Sequence, residues 1–250
     1  LNRKAKRLAV RLVVWTGKSR EPLHPKHLAL RDEDYWYVRW LKPLDKVLDV
    51  GCGSGAHALR MARAGADVLG FDRDEAALGA AQREASRVGL ANRSAFVNIS
   101  AEHWTKWPTA QGGIDIVLCH DVLEHLDDRD GALKKVRAVL KPGGLLLLAV
   151  PNADTRWKRR LRRMGLPWMS DPDHRIEYSH AQLWNVLKVA GFRVVDEELA
   201  PVDTPLTSLF DVLGGLSLRL YRWSIRWRLQ QAERRPQDQA AWYFVCEAAK

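Results

Sequence analysis

The 250-residue sequence has little cysteine and no long uncharged apolar run. Its three cysteines, Cys52, Cys119 and Cys246, are far apart, and none belongs to a CxxC pair. This spacing excludes a disulfide framework and a zinc ribbon, and it suggests a reducing compartment. The longest uncharged apolar stretch near mid-chain, 142–153, is too short for a membrane-spanning helix, which needs about 20 residues. We therefore expect a chain that does not cross a membrane.

The sequence also has no low-complexity tract, and its opening is not typical of a signal peptide. The opening LNRKAKRLAVRLVVW is basic and then apolar, but Arg11 interrupts the apolar run and no small-residue cleavage site follows, so no signal peptide is expected. A hydrophobic content of 46% and 11 tryptophans exclude a disordered chain. We expect a cytoplasmic protein, with peripheral contact at the inner face of the membrane as an open alternative.

The formal net charge of +10 is unevenly distributed along the chain. Three segments, 1–31, 156–163 and 217–235, carry +19 between them, which leaves −9 for the remainder. A net positive charge is typical of proteins that bind nucleic acid or an anionic membrane surface. The distribution indicates an acidic body with three basic appendages.

From Lys46 onward, short apolar runs alternate with amphipathic stretches. Alternation at this spacing predicts an α/β fold with a doubly wound, mostly parallel seven-stranded sheet and helices on both faces. The predicted strands are 46–50, 66–72, 94–100, 113–120, 145–151, 192–199 and 241–250, and the predicted helices are 57–64, 75–88, 129–140 and 181–191. The Lys-Pro-Gly-Gly run at 141–144 is expected to stop the third of these helices.

Three segments, 1–45, 152–178 and 201–238, do not fit the alternation, and they contain the basic appendages. We predict a basic N-terminal helical arm or lid over 1–45 and a main domain over 46–250, into which the other two segments insert as helical caps. Within the last of them, 206–230 is predicted as one helix that is apolar on two sides, with Arg219, Arg222 and Arg226 between.

A glycine-rich turn follows the first strand. Asp49-Val50-Gly51-Cys52-Gly53-Ser54-Gly55 lies where ligands bind in open α/β sheets, at the carboxyl end of a strand. A second acid, Asp72, ends strand two and suits a ribose diol. The turn also fits a loose dinucleotide fingerprint, but Asp49 would lie near the pyrophosphate and suits a cationic ligand better. A structural turn without ligand is the remaining alternative.

Five ordered motifs resemble those of class I S-adenosylmethionine-dependent methyltransferases. They are VLDVGCGSG, FDRD, SAEHW, HDVLEHLDD and VRAVLKPGGLLLLAVPN, within about residues 44–200. The pattern is most like the ubiquinone-biosynthesis O-methyltransferase group and its small-molecule, lipid and sugar relatives. The resemblance implies a Rossmann-like methyltransferase fold and S-adenosyl-L-methionine as cofactor, converted to S-adenosyl-L-homocysteine.

The resemblance also assigns cofactor-binding residues. It places Asp49, Gly51, Cys52, Gly53 and Gly55 at the methionine part of the cofactor and in the turn. It places Asp72 at the ribose hydroxyls, Arg73 beside the adenine, Ala101 and Glu102 at the adenine edge, and the His120 carbonyl at the methionine ammonium. The family often has Asp and then a small residue at the adenine edge, whereas this chain has the order Ala101-Glu102. Residues 24–41 are expected to pack over the cofactor cleft.

Methyl transfer is an in-line displacement, so the protein mainly positions the acceptor. A hydroxyl acceptor must also lose its proton, and the candidate bases are His125, His174 and His180. A structural hydrogen-bonded role is the alternative for each. We expect Glu124 and His125 to begin the helix after strand four. No metal-ligand cluster stands out, although Asp121, Glu124 and His125 offer donors for a divalent cation.

The acceptor remains open between several classes. The leading hypothesis is O-methylation of a small-molecule, lipid-linked or saccharide acceptor. An RNA-modifying methyltransferase with basic arms and a catalytically silent cofactor-binding partner protein are the alternatives. Cys119-His120-Asp121-Val122 replaces the Asn/Asp-Pro-Pro-aromatic motif of many base methyltransferases, so nucleic acid is disfavoured. The amphipathic basic segments suit an anionic membrane surface, a cap packed on the domain or a homodimer partner.

Overall fold

The structure, a computed structural model, describes residues 2–108 and 113–249, and for the first two of these residues only the backbone. Residue 1 of the predicted arm and residue 250 of the predicted seventh strand lie outside this range. Within it, seven strands form one sheet in the order β3-β2-β1-β4-β5-β7-β6. The strands are β1 (Lys46–Val50), β2 (Asp67–Asp72), β3 (Ser94–Asn98), β4 (Ile114–His120), β5 (Leu140–Pro151), β6 (Phe192–Glu198) and β7 (Ala241–Ala248).

Pairing between β1 and β2, β1 and β4, β2 and β3, and β4 and β5 is parallel, whereas β6 and β7 pair antiparallel. The predicted doubly wound, mostly parallel sheet is therefore confirmed. Residues 146–150 of β5 are fully buried, as is expected of central parallel strands that are covered on both faces.

The described residues form helices throughout the chain. They are α1 (Asn2–Trp15), α2 (Lys26–Ala29), α3 (Ala56–Arg63), α4 (Glu75–Arg87), α5 (Arg129–Val139), α6 (Arg156–Arg163), α7 (His180–Val189), α8 (Thr207–Leu216) and α9 (Leu218–Arg234). Short 3-10 turns lie at Asp32–Asp34, Val38–Trp40, Trp104–Lys106, Leu123–His125 and Pro236–Asp238. None of the helices in this part of the chain is both long and apolar enough to span a bilayer.

The Lys-Pro-Gly-Gly run ends α5 as predicted, but it lies within β5 and not between the two elements. Ile114 pairs with Leu140 and Ile116 pairs with Leu145, so residues 141–144 bulge opposite Asp115 alone. Gly143 has φ +77°, a conformation that favours glycine. The Lys141 ammonium lies 2.8 Å from the Asp115 carboxylate and fixes the bulge. The predicted start of this strand at residue 145 was therefore five residues late.

The predicted single helix over 206–230 is wrong, because the chain breaks between α8 and α9. Ser217 has extended backbone angles (φ −147°, ψ 110°), and its hydroxyl accepts a hydrogen bond from the Leu220 amide as the N-cap of α9. Gly214 and Gly215, the more obvious breakers, remain helical inside α8.

The chain groups into two compact units. The helical unit comprises 2–35, 151–180 and 199–242, and the sheet unit comprises 36–108, 113–150, 181–198 and 243–249. The helical unit thus draws on all three segments that did not fit the alternation. It contains 22 of the 40 basic and 12 of the 30 acidic side chains, an excess that equals the whole net charge of +10.

Close helix packing holds the helical unit together. Ala9 and Val13 of α1 are fully buried. A Cβ added to Gly215 would lie 2.7 Å from both the Ala9 carbonyl oxygen and the Leu12 Cβ, so only glycine allows this approach of α1 to α8. Between α8 and α9, the Tyr221 hydroxyl donates to the buried Asp211 carboxylate at 3.1 Å.

Candidate functional site

The glycine-rich turn after β1 uses left-handed backbone at three positions. Gly51, Gly53 and Gly55 have φ +67°, +51° and +74°. A Cβ added to Gly51 would lie 2.5 Å from a Val122 methyl group, and one added to Gly55 would lie 2.8 Å from the Ala81 Cβ. At Gly53 an added Cβ would meet nothing within 4 Å. The first and third glycines are therefore required by packing, while the surface over Gly53 is open to a ligand.

Asp72 lies beside this turn because of the strand register. Val50 pairs with Phe71, so the end of β2 meets the start of the turn. The Asp72 carboxylate accepts hydrogen bonds from the Gly53 amide at 2.8 Å and from the Asp74 amide at 2.9 Å. The structure thus brings together Asp72 and the predicted turn residues. Arg73 is exposed beside them, and its carbonyl accepts from the Asn98 side chain at 3.2 Å.

Asp49 is a buried carboxylate at the base of the turn, with 2% of its surface exposed. It accepts a hydrogen bond from the Ala58 amide, but its Oδ2 has no hydrogen-bond partner among the described residues. Burial, followed by the nearby charge of Asp72, raises the pKa of Asp49 to about 8. A buried carboxylate that lacks a donor fits a ligand that carries a cationic group.

Cys52 packs the turn against β2. A Cβ added to Gly70 would lie 2.9 Å from the Cys52 sulfur, so the thiol fills the space that this glycine leaves. Burial, followed by the charges of Asp49 and Asp72, raises the pKa of the Cys52 thiol far above its ordinary value. Cys119 and Cys246 are likewise buried and unbridged. These positions suit packing and not a thiolate nucleophile.

The predicted adenine-edge residues lie in the loop after β3. The Ala101 carbonyl accepts from the Trp107 indole at 3.2 Å. The Glu102 carboxylate accepts from the Asp127 amide at 2.9 and 3.2 Å, and so ties this loop to the segment before α5. Contact of either residue with adenine stays a prediction.

His120, at the end of β4, lies in an aromatic cluster. Its ring stacks on His57, with centroids 4.5 Å apart, and lies 5.8 Å from Tyr243, which in turn stacks on Trp36. Asp121 follows with φ +59°, which is unusual for a residue other than glycine, and its carboxylate is 3.3 Å from the His120 Nδ1. Strained backbone at the carboxyl end of a central strand is typical of functional sites.

A partly buried hydrogen-bond chain extends this cluster, and sequence reasoning missed it. The Tyr37 hydroxyl lies 2.7 Å from the His57 Nδ1 and accepts from the Arg60 guanidinium at 3.2 Å. Arg60 is only 1% exposed, although it lies on α3 among residues that looked like an ordinary amphipathic helix. The available signal was the position of His57, two residues after Gly55.

His125 and Glu124 do not begin the helix after strand four, so that expectation is corrected. They lie in the 3-10 turn Leu123–His125, and α5 starts only at Arg129. The reason is that Asp128 caps α5: its carboxylate accepts from the Gly131 amide at 2.9 Å and from the Trp104 indole at 2.7 Å. His125 belongs to the sheet unit.

His174 lies in the helical unit and is paired with Glu177. The His174 Nδ1 is 2.8 Å from the Glu177 Oε1, which also accepts from the Ser170 amide at 2.5 Å. The buried Lys158 ammonium donates to the other oxygen of Glu177. Burial alone would raise the pKa of Glu177, but the hydrogen bond with His174 and the charge of Lys158 outweigh burial and hold that pKa below its ordinary value. Glu177 is therefore an ionised partner for His174 at neutral pH.

His180, the first residue of α7, is also in the helical unit. Its ring meets Trp242 edge-on, with centroids 5.0 Å apart. The Trp242 indole donates to the Tyr178 carbonyl at 2.9 Å. This environment favours a packing role, and a catalytic role for His180 stays a prediction.

Comparison with known proteins gives consistent results. A family model described as a methyltransferase domain matches residues 22–197. A ubiquinone biosynthesis O-methyltransferase from Sinorhizobium fredii is 38% identical over 205 residues, covering 72% of this chain and 77% of that protein. A protein of the same description from Acinetobacter baylyi is 39% identical over 111 residues, covering 44% of this chain. The chain matches only 45% of the length of that second relative.

Solved structures share the fold at low sequence identity. The E. coli protein YjhP has a TM-score of 0.60 at 20% identity and covers 95% of this chain and 99% of its own. A magnesium protoporphyrin IX methyltransferase from Synechocystis with bound SAH has a TM-score of 0.58 at 18% identity, covering 85% and 80%. A [4+2]-cyclase, SpnF, has a TM-score of 0.56 at 22% identity, covering 84% and 77%. The same fold thus also occurs in a protein that is described as a cyclase and not as a methyltransferase.

Proposed function

This chain belongs to the class I S-adenosylmethionine-dependent methyltransferases, and on that premise we propose that it methylates a hydroxyl oxygen of a small-molecule, lipid-linked or saccharide acceptor. The name of the Sinorhizobium relative, an O-methyltransferase, supports oxygen as the acceptor atom. The observation that carries the proposal is the buried His174–Glu177 pair, because a hydroxyl acceptor needs a group that takes its proton.

The residues of the sheet unit fit the cofactor. S-adenosylmethionine supplies a methyl group that is already activated on a sulfonium sulfur. The buried Asp49 carboxylate, short of one hydrogen-bond donor, suits the cationic methionine end. Asp72 and the open surface over Gly53 suit the ribose hydroxyls and close approach of the ligand to the backbone. These residues bind and orient the cofactor, and no nucleophilic side chain is required of them.

The His174–Glu177 pair has the arrangement of a general base and its positioning residue. Glu177 holds the Nδ1 side of the imidazole, so the neutral ring carries its proton on Nδ1 and its basic lone pair on Nε2. The carboxylate also stabilises the imidazolium that forms when His174 takes a proton. Lys158 and the Ser170 amide hold Glu177 in place.

Transfer of a labelled methyl group tests the proposal directly. With S-adenosylmethionine labelled on the methyl group, we expect label on 4-decylcatechol and none on 4-decylaniline, which presents an amine on the same ring. His174→Asn should lower kcat by about 10²–10⁴-fold while leaving cofactor affinity unchanged. Label on the aniline alone, or full activity of His174→Asn, would contradict the proposal. His125→Asn and His180→Asn in the same assay test the other two candidate bases.

A second pair of variants separates positioning from structure. Glu177→Gln should lower kcat and leave the affinity for S-adenosylmethionine unchanged, because the imidazole loses the carboxylate that orients it. Glu177→Gln alone would also leave the Lys158 ammonium buried without its carboxylate. The double variant Glu177→Gln/Lys158→Met removes that charge, so a loss of kcat that persists in it reports on His174 itself.

A further inference from the structure

Helices α1, α8 and α9 of the helical unit carry large apolar side chains on their solvent side. Trp15 is 79% exposed and Trp223 is 62% exposed. The set, termed here the interfacial face, consists of Leu8 and Trp15 on α1, Leu209 and Leu216 on α8, and Leu220, Trp223 and Trp227 on α9. Each member is at least 37% exposed. Because α1 packs against α8 and α8 packs against α9, exposed apolar side chains on all three helices favour an interaction site over an ordinary surface.

The three helices have buried faces of their own, so the interfacial face is not their only apolar side. Ala9 and Val13 face the interior from α1, and Tyr221 and Ile225 do so from α9. Leu220, Trp223 and Trp227 recur at helical spacing on the other side of α9. When a helix is packed on one apolar side and exposed on another, the exposed side indicates a second binding partner.

Basic side chains flank the interfacial face. Arg219, Arg222 and Arg226 are exposed and each precedes an apolar member of the face on α9. On α1, Lys4, Arg7 and Arg11 are exposed as well. The acids on these three helices are Asp211, which is buried against Tyr221, and Glu233 near the end of α9. The surface therefore consists of tryptophan and leucine side chains that are bordered by positively charged ones.

We propose that the interfacial face docks on a bilayer of anionic phospholipid, with α1, α8 and α9 lying in the plane of the interface. Leucine and tryptophan enter the boundary between headgroups and acyl chains, while the arginines and lysines meet lipid phosphates. This proposal concerns binding alone and does not rest on the acceptor proposed above.

Two other partners fit the surface less well. A nucleic acid would satisfy the basic side chains, but it offers no apolar phase for exposed leucines between the tryptophans. A second copy of the chain would cover the leucines, but it would bring two arginine rows together with almost no acid to oppose them. Charge complementarity thus favours an anionic lipid surface.

Co-sedimentation of the full chain with vesicles tests the proposal. We expect binding to vesicles of equal parts phosphatidylglycerol and phosphatidylcholine, and at least about tenfold weaker partitioning to phosphatidylcholine alone. The double variant Trp223→Ser/Trp227→Ser should weaken binding to the anionic vesicles about tenfold or more. Trp184→Ser, which removes a tryptophan that is 41% exposed on α7, is the matched control and should bind as the wild type does.

Charge reversal supplies the second arm. Arg219→Glu/Arg222→Glu/Arg226→Glu should abolish the preference for anionic vesicles. Arg159→Glu/Arg160→Glu/Arg163→Glu makes the same change of charge on α6, where these arginines are also exposed. This variant should reduce binding to anionic vesicles far less. Unchanged cofactor affinity in each variant shows that the fold survives.

Several outcomes would overturn the proposal. The first is that the wild type does not bind vesicles. The second is that the α9 and α6 charge variants lose vesicle binding equally. The third is that Trp184→Ser and the tryptophan pair, Trp223→Ser/Trp227→Ser, lose vesicle binding equally. Tight RNA binding with a steep salt slope that the tryptophan pair removes would assign the face to nucleic acid. A dimer in sedimentation velocity that the same pair dissociates would assign it to a second copy.

Discussion

At the scale of single residues, Asp49 shows how a ligand site is maintained at a cost to stability. Its native pKa of about 8 lies above the ordinary value of 3.8 because the carboxylate is buried. The native state therefore favours the protonated acid, and its contribution to the free energy of unfolding is lost as pH rises from about 4 through about 8. Binding of a cationic ligand should reverse this preference and release a proton.

The first prediction follows for Asp49→Asn. The ligand-free variant should be more stable than the wild type at pH 8 to 9, by about 1–3 kcal/mol, and the difference should vanish near pH 4. Its affinity for S-adenosylmethionine should fall about tenfold or more, since the anionic partner of the cofactor is gone. Urea unfolding across pH and titration calorimetry measure the two effects. An identical pH slope in variant and wild type would contradict the burial argument.

The glycines of the turn give the second prediction. Gly51→Ala adds a Cβ 2.5 Å from Val122 at a left-handed φ, so it should lower the free energy of unfolding by more than about 2 kcal/mol. Gly53→Ala, the matched control, meets no neighbour and should cost only about 1–2 kcal/mol of backbone strain. Val122→Ala should partly rescue Gly51→Ala. An equal loss in the free energy of unfolding at both glycines would show that backbone strain alone, and not the contact with Val122, determines the effect.

The same residues show what a sequence can reveal about a site. The turn and Asp72 were predictable because a glycine pattern and the end of a strand are local features, and parallel register brings them together. The hydrogen-bond chain from Arg60 through Tyr37 to His57 was not, because Tyr37 is 20 and 23 residues away from its two partners and a buried arginine looks like a surface one in a helical pattern. Only tertiary packing shows that Arg60 is enclosed.

At the scale of elements, the strands of the body were predicted closely and the helices of the insertions were not. Central parallel strands are recognisable because both faces are buried and the apolar runs are continuous. The break between α8 and α9 is set by the cap at Ser217, and a single serine within an apolar run gives little signal. The bulge at 141–144 was missed because glycine and proline there read as a turn between elements.

Gly215 in α8 gives the third prediction. Alanine in a helix is ordinarily favoured over glycine by about 1 kcal/mol. Here the new Cβ would lie 2.7 Å from the Ala9 carbonyl oxygen, so Gly215→Ala should instead destabilise the protein by about 1–3 kcal/mol. Gly79→Ala in α4 is the matched control, because its Cβ meets only the end of the Arg83 side chain at 3.4 Å. It should stabilise by about 0.5–1 kcal/mol. Thermal unfolding of both variants decides, and a gain at both sites would refute close packing of α1 on α8.

At the scale of the whole molecule, the distribution of charge carries more information than the total. The segments that did not fit the βα alternation contribute to one helical unit, and that unit contains the whole basic excess. Composition alone indicated a basic protein, whereas the described residues of the sheet unit, which include the cofactor residues, have 17 basic and 18 acidic side chains and add no positive charge. The sequence could locate the basic segments, but not that they pack together, because their association rests on contacts about 200 residues apart, such as Thr16 with Gly215.

The fourth prediction is that the helical unit depends on its first chain segment, which contains α1. Removing residues 1–17 takes away α1, including the buried Ala9 and Val13. It also removes the hydrogen bond from the Thr16 hydroxyl to the Gly215 carbonyl at 3.1 Å. Burial of each lost apolar side chain is worth about 1–3 kcal/mol, so α8 should open far more readily even though it lies about 200 residues away in the chain.

Hydrogen exchange measures this opening. We expect the amides of α8 to exchange at least about tenfold faster in the truncated chain, with β1 to β4 as the internal reference. Val13→Asp in the full chain is the point-variant counterpart, since it buries a charge at the same contact without removing the helix, and it should accelerate the same amides. Unchanged protection of α8 in both variants would show that α8 and α9 are stable without α1. The helical unit would then be held together by its other two segments alone.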